Sequence, residues 1–553
     1  MLDRRVCRRL FTAALGSCLA SLVGCASLGS PAATPPWYQI GEVHRRVSTD
    51  SSEAQLWFDR GLALTYGFNH EEAIRCFEHA AAADPACAMA YWGKAYALGP
   101  HYNNPVCEPL VATAAVAALA QARQHLARCS DVERDLIAAL LFRYEGEIGA
   151  DRAALDLAYA NAMRQVLHSH PDDADVAALT GEALLQLRPW KLWSPQGEAA
   201  PETPEIVALL EDSLARWPNH PALCHLYIHT VEASPNPERA LAVAERLENL
   251  VPGAGHLVHM PSHIYTWTGR YADVIRVNEQ AVAMDRAFVE HAGRHNFFTF
   301  YRLHNLHFIA YGAMFDGRRE LAMSAAREVV AEIPAELLVE MADFLDIFVA
   351  TPYHVMVRFG MWNEILAEPE PAPELLAART VWHYARGVAF ASLGNVAAAE
   401  TEYQAFLRAQ AAVPATRMLF QNPVSLVLQV AEVFLAGEIE YRRGNYDRAF
   451  QLLREAVARD ERMNYDEPWG WMEPTRHALG ALLIERGHLT EAETVYREDL
   501  ERYPENGWSL HGLAECLRRT GRTAEAAAMQ TRFERAWERA DVVIPGSCYC
   551  RTI

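Results

Sequence analysis

The chain has 553 residues, 51% of them hydrophobic and 22% charged, with Lys+Arg 50 against Asp+Glu 70. That apolar content excludes an intrinsically disordered chain and a polytopic membrane protein, and the length exceeds what one compact core serves, so several domains or a repeat array are expected. A net charge of −20 argues against a nucleic-acid partner, which needs a clustered excess of Lys and Arg. Ala is frequent, Gly and Pro recur at intervals and no Val/Ile-rich strand series is present, which points to an all-α chain.

In chain order, Arg4, Arg5, Arg8 and Arg9 precede an apolar run from Leu10 to Val23 that is short and interrupted by Gly and Ser. The run closes on Leu22-Val23-Gly24-Cys25, similar to a bacterial lipobox, in which small residues precede a Cys that is lipidated. Residues 1–25 are therefore read as a signal peptide. The mature chain is expected to be exported, with its only membrane attachment a lipid anchor at Cys25, facing the periplasm or cell envelope. Cys7-Arg8-Arg9-Leu10-Phe11 is also similar to a twin-arginine export motif, with Cys where Ser or Thr is usual. Residues 26–52, rich in Ser, Ala, Pro and Thr, read as a flexible tether. Of the later Cys, Cys548 and Cys550 stand too close for easy pairing, and none has zinc-ribbon spacing.

Trp57, Gly61, Leu64, Ala73, Phe77, Ala80 and Pro85 fall on the pattern of a 34-residue helix–turn–helix. Small residues at Gly61 and Ala73 permit close helix approach, Phe77 fills the seam and Pro85 ends the second helix. The phase returns at Gly387/Gly394/Ala399, Gly437/Gly444/Ala449, Gly480/Gly487/Ala492 and Ala514/Gly521/Ala526. These units resemble tetratricopeptide repeats (TPRs), which implies a TPR α-solenoid over residues 53–541, followed by a tail over 542–553. The helix after Thr523, studded with charge, reads as its solvated cap. Loops or inserts are expected at Ser194–Pro204, Glu368–Pro373 and Asn464–Pro474, with a hinge near 366–375.

The TPR resemblance implies that positions 2, 5, 9 and 12 of each repeat face a concave groove. In the central repeats position 5 holds His225, His259, His307 and Ala350; position 9 holds His229, His263, Tyr311 and His354; position 2 adds His256 and His304. Composition alone would place about 0.3 His in the eight slots at positions 5 and 9, and they hold six. Residues four apart share a helical face, so these imidazoles can converge as ligands for a transition metal, Zn or Cu. Glu232, in HxxxHxxE spacing, suits a ligand, an outer-shell orienter or a general base for bound water. Glu182 is expected at the matching inward position of the preceding repeat. Tyr265 and Tyr311 are candidate substrate-binding groups, as are Trp190 and Trp193 of Arg188-Pro-Trp-Lys-Leu-Trp193, which either plug a hairpin end or cover the groove mouth. The insert behind them, Ser194–Pro204, could move as a lid.

His225-Leu-Tyr-Ile-His-Thr-Val-Glu-Ala-Ser-Pro235, Gly253-Ala-Gly-His-Leu-Val-His-Met-Pro-Ser-His-Ile-Tyr265 and His304-Asn-Leu-His-Phe308 resemble a family of bacterial cell-envelope TPR proteins. That family names no substrate. Where its Trp loop usually reads Pro-Trp-Asp-Leu-Trp, this chain has Lys191. The function expected is a His-lined groove holding the metal of a metal-dependent hydrolase or oxidase, with a small-molecule or peptide ligand. The alternative is an interaction scaffold that binds a peptide or partner helix in the groove.

Overall fold

The computed structural model describes residues 39–144 and 151–551, and the signal peptide, Cys25 and the first part of the tether lie outside them. The regular structure of the described residues is helical, with only a two-residue antiparallel pair, Met418–Leu419 with Asn422–Pro423, as strand. Among the described residues no helix is long and apolar enough to cross a membrane. The fold is all-α, a TPR α-solenoid class built of antiparallel helical hairpins, and the five hairpins expected from the sequence all form. Ser52–Tyr66 pairs with His70–Ala83, Leu376–Ser392 with Val396–Ala412, Val424–Arg442 with Tyr446–Asp460, Thr475–Glu485 with Leu489–Arg502, and Gly507–Arg519 with Thr523–Ala536.

Two compact units are present. The N-terminal unit comprises residues 39–264 and 280–302, the C-terminal unit residues 265–279 and 303–551. In the first, the Phe77 ring sits where Cβ atoms on Gly61 and Gly93 would approach it to 2.7 and 2.4 Å. In the second, Tyr496 does the same between Gly480 and Gly512. Each ring is thus a knob from the second helix of a hairpin, lodged between two first helices that a side chain would force apart. The final helix, Thr523–Ala536, buries only Ala526, as a solvated cap should.

Several expectations change. Residues 39–51 are not tether: Arg45, 8% exposed, bonds Asp173 and Asp175 at 2.8 Å each, and Val47 is buried. Segment 366–375 lies inside the C-terminal unit and is fastened there, since Trp382 Nε1 donates to Glu368 O and Arg386 Nη1 to Leu366 O. The insert behind Trp193 is a tight hairpin, with Ala200 N donating to Leu192 O and Thr203 Oγ1 to the same carbonyl at 2.7 Å. The tail packs too, with Ile544, Ser547 and Cys550 buried, and Cys548 and Cys550 are joined by a disulfide.

A candidate metal centre in the N-terminal unit

The helix Pro221–Val231 carries His225 and His229 one turn apart, and Glu232 follows at its C-terminal end. His256 and His259 lie on the short helix Gly255–His259, and His263 on the next, which starts at Pro261. Proline is accepted at a first helical position, where its missing N–H has no partner to lose. All five imidazoles and Glu232 are between 0% and 2% exposed.

The hydrogen bonds fix which ring nitrogens face inward. His225 Nδ1 donates to the carbonyl of Tyr66 at 2.7 Å. Glu232 accepts from His229 Nδ1 on one oxygen (3.0 Å) and from His263 Nδ1 on the other (2.6 Å). A neutral imidazole that donates through Nδ1 keeps a lone pair on Nε2, so three Nε2 lone pairs are set by these bonds. His225 Nε2 lies 3.1 Å from His256 Nε2, and His263 Nε2 lies 2.7 Å from His259 Nε2. His229 Nε2 and His256 Nδ1 are buried with no hydrogen-bond partner. Ligand atoms of His225, His229 and His256 lie within 4.8 Å of one another, as do those of His229, Glu232 and His263.

Burial keeps these rings neutral, the state a ligand needs. It pushes His229 down to about 3. It also takes His263 to about 3, against the pull of Glu232. His225 and His256 fall well below the ordinary imidazole range, first through burial and then through neighbouring imidazoles.

Sequence reasoning named Trp190 but missed Phe68, the other half of an aromatic wall. The Phe68 ring lies 4.4 Å from His225, 5.5 Å from His256 and 6.0 Å from His229. Phe68 has φ +54°, in the left-handed region, at the turn slot that Gly394, Gly444, Gly487 and Gly521 fill in other hairpins with φ from +79° to +84°. A bulky residue there costs roughly 1–2 kcal/mol, and such strain gathers at functional sites. Trp190, φ +59°, is the second instance, its ring 5.5 Å from His229 and 4.9 Å from Tyr102. His101 and His70, their rings 4.4 Å apart, extend the cluster, with His101 4.5 Å from Phe68. The signal that would have found Phe68 is the missing turn glycine.

The other expected residues fall as follows. Glu182 lines a cavity of about 20 Å³ with His70, His101 and His225, room for one water. Its carboxylate accepts from Tyr96 Oη at 3.0 Å, Arg143 Nη2 at 3.2 Å and Gln186 Nε2 at 3.1 Å, so it is a committed acceptor. Trp193 plugs its hairpin, Nε1 donating to Thr230 O at 2.7 Å; of the Trp pair only Trp190 stands at the imidazoles. His304, His307 and His354 belong to the C-terminal unit. There His307 Nε2 meets Met472 Sδ at 3.2 Å, His354 Nδ1 donates to Glu473 Oε2 at 2.9 Å, and His304 packs on Phe308 and Phe420. Met472 and Glu473 come from the Asn464–Pro474 segment, whose Trp471 is fully buried against His354 and Tyr384. Tyr265, stacked under Arg270, and Tyr311, against Phe315, are also fully buried. As substrate-binding groups they present no surface.

Tetratricopeptide-repeat family models match residues 54–87 and 477–540, the first and the last two hairpins described above. The chain is a TPR-repeat protein. No curated protein matches its sequence. Among solved structures it is similar to the human IFIT1 dimer with m7Gppp-AAAA, at 13% identity over 90% of this chain and 92% of that one, with a TM-score of 0.30. It is similar to the human IFIT1 dimer with PPP-AAAA at the same identity and coverage, with a TM-score of 0.31. Scores this low carry no functional argument.

Proposed function

We propose that this chain is a TPR scaffold of the cell envelope whose N-terminal unit carries a transition-metal centre, Zn or Cu. The observation that carries this is the set of buried Nε2 atoms on His225, His229 and His256, with His225 and His229 turned inward by the Tyr66 carbonyl and by Glu232. Without a cation, His229 Nε2 remains unpartnered in a dry interior, which costs about 1–3 kcal/mol. A bound ion would take up the lone pairs of three imidazoles at once. His263 and His259 are the next donors beside them. Zn there would supply Lewis-acid activation of water, and Cu one-electron chemistry. Glu232, with both oxygens accepting from imidazoles, acts as an outer-shell orienter; neither it nor Glu182 is free to serve as a base. Trp190 and Phe68 wall the centre and limit access to small molecules.

The experiment is metal analysis of purified, tag-free protein before and after reconstitution with Zn or Cu. Stoichiometric metal that is lost in His225→Ala/His229→Ala and reduced in His259→Ala/His263→Ala is expected. Absence of metal after reconstitution overturns the centre, and full occupancy in both double variants misplaces it.

The tetratricopeptide matches favour the scaffold role, with a peptide or partner helix as ligand. The chain's acidity favours a protein over a nucleic acid as that ligand. The lipobox-like Leu22-Val23-Gly24-Cys25 supports placing the scaffold on an envelope membrane, outside the cytoplasm.

A further inference from the structure

The C-terminal segment packs on several helices of the C-terminal unit. Ser547 Oγ donates to the His477 carbonyl at 2.8 Å and shares a 2.6 Å hydrogen bond with Tyr496 Oη. Tyr549 covers Gly360, where an added Cβ would lie 2.6 Å from the Tyr549 Cβ, and its ring stands 6.1 Å from Trp508. Arg551 makes a bidentate pair with Glu515, at 2.6 and 3.0 Å. Between them, the carbonyl of Cys550 accepts from Arg442 Nη2.

Residues 545–551 run through bends and a turn closed by the Cys548–Cys550 disulfide, and Ser547, Tyr549 and Arg551 each reach the repeats from that loop. Most of their partners lie on, or at the ends of, the helices Thr351–Arg358, Val424–Arg442, Thr475–Glu485 and Gly507–Arg519, while Tyr496 reaches Ser547 from the second helix Leu489–Arg502. The first four are first helices of hairpins, the ones that line the inner surface of a TPR array. The segment adds no helix or strand of its own. Its disulfide is internal, Cys548 to Cys550, so no cross-link ties it to the surface beneath. Val543, at the link to the last helix, is 92% exposed.

We propose that residues 544–551 are a resident peptide ligand of this inner surface. The surface beneath them docks a bent protein loop of the same chemistry, with a hydroxyl, an aromatic ring and an Arg two residues apart, which displaces the tail. Glu515 reads the Arg, the glycine floor at Gly360 admits the ring, and the His477 carbonyl with Tyr496 Oη takes the hydroxyl. This rests on the scaffold role of the chain and is independent of the metal centre.

The test uses the full chain and a fluorescein-labelled, oxidised peptide of residues 544–551, followed by anisotropy. In Arg551→Glu the tail meets Glu515 with like charge, and the peptide should bind at least tenfold more tightly than to the wild type. In Arg551→Glu/Glu515→Arg the pair is restored with signs exchanged, and binding should return to the wild-type level. A peptide with Tyr549→Ala and Arg551→Ala should not bind. Equal binding to wild type and Arg551→Glu, or no binding to a folded Arg551→Glu chain, overturns the proposal. Hydrogen exchange adds a second reading: Arg551→Glu should expose the amides of 544–551 while Thr475–Glu485 and Gly507–Arg519 stay protected. If those helices open as well, or the variant fails to fold, the segment is core and not a displaceable ligand. A folded chain that ignores the peptide leaves scaffolding through other surfaces standing.

Discussion

His263 Nδ1 donates to Glu232 Oε2 at 2.6 Å across 31 residues of sequence, while the other oxygen of Glu232 holds His229 at 3.0 Å. One carboxylate therefore sets the tautomer of two imidazoles on successive repeats. Glu232→Gln can accept from only one of them and turns an N–H toward the other. Metal affinity, measured by competition with a chromophoric chelator, should fall about 10–100-fold with the helical spectrum unchanged. Unchanged affinity would show that Glu232 does not orient the site.

Phe68 offers a test of stored backbone strain. Phe68→Ala and Phe68→Gly both remove the ring from the imidazoles, and each should lose roughly 3–5 kcal/mol of stability. Only glycine relaxes the left-handed φ, so the Gly variant should exceed the Ala variant by about 1 kcal/mol in urea denaturation of metal-free protein. An Ala variant as stable as the Gly variant would mean that the turn is unstrained.

Glu438 is fully buried; both its oxygens lack a hydrogen bond, and Arg442 is 3.7 Å away. Burial pushes its carboxyl up to about 7, against the opposing effect of Arg442. A carboxyl raised above its unfolded pKa binds its proton more tightly in the folded chain. Its contribution is therefore fully present in acid and is lost as pH rises through about 4.5 to 7. Glu438→Gln should be more stable than wild type at pH 8, by at most about 3 kcal/mol, and should show no such advantage at pH 5. The comparison is a pair of urea titrations; a gain at pH 5 equal to that at pH 8 would contradict it.

Arg45 fastens residues 39–51 to the N-terminal unit through Asp173 and Asp175, and Asp175 also bonds Tyr66 Oη and His220. Arg45→Met leaves two carboxylates facing each other, and a loss of about 2 kcal/mol is expected. Limited proteolysis should then cut within 39–51 faster than in the wild type, with the remaining cleavage pattern unchanged.

The hairpins were legible because their signals are local: Gly61 and Phe77, or Gly480 and Tyr496, stand at fixed spacing and meet by helix geometry alone. The imidazole cluster was legible through the same register, which put His225, His229, His256, His259 and His263 on inward faces before any contact was known. Phe68, His70 and His101 were not legible, because they reach the cluster from turns and helix ends where no periodicity applies. Trp193 and Trp190 read alike in sequence and differ in structure: the Trp193 indole is tied to Thr230 O, whereas Trp190 takes a left-handed φ and stands against His229. Spacing alone leaves Glu232 open among ligand, base and orienter, because it does not fix what the second oxygen bonds. His263 takes that oxygen.

Repeat arrays commonly vary in length among relatives by gaining or losing whole hairpins, since each unit touches only its neighbours. The carboxylate shared by His229 and His263 removes that freedom locally. A hairpin inserted between Glu232 and Gly255 would interpose a helix layer about 8–10 Å thick and carry His263 out of reach. Lineages of this chain should accordingly tolerate duplication near its ends while holding the unit count fixed from Pro221 to Ile264.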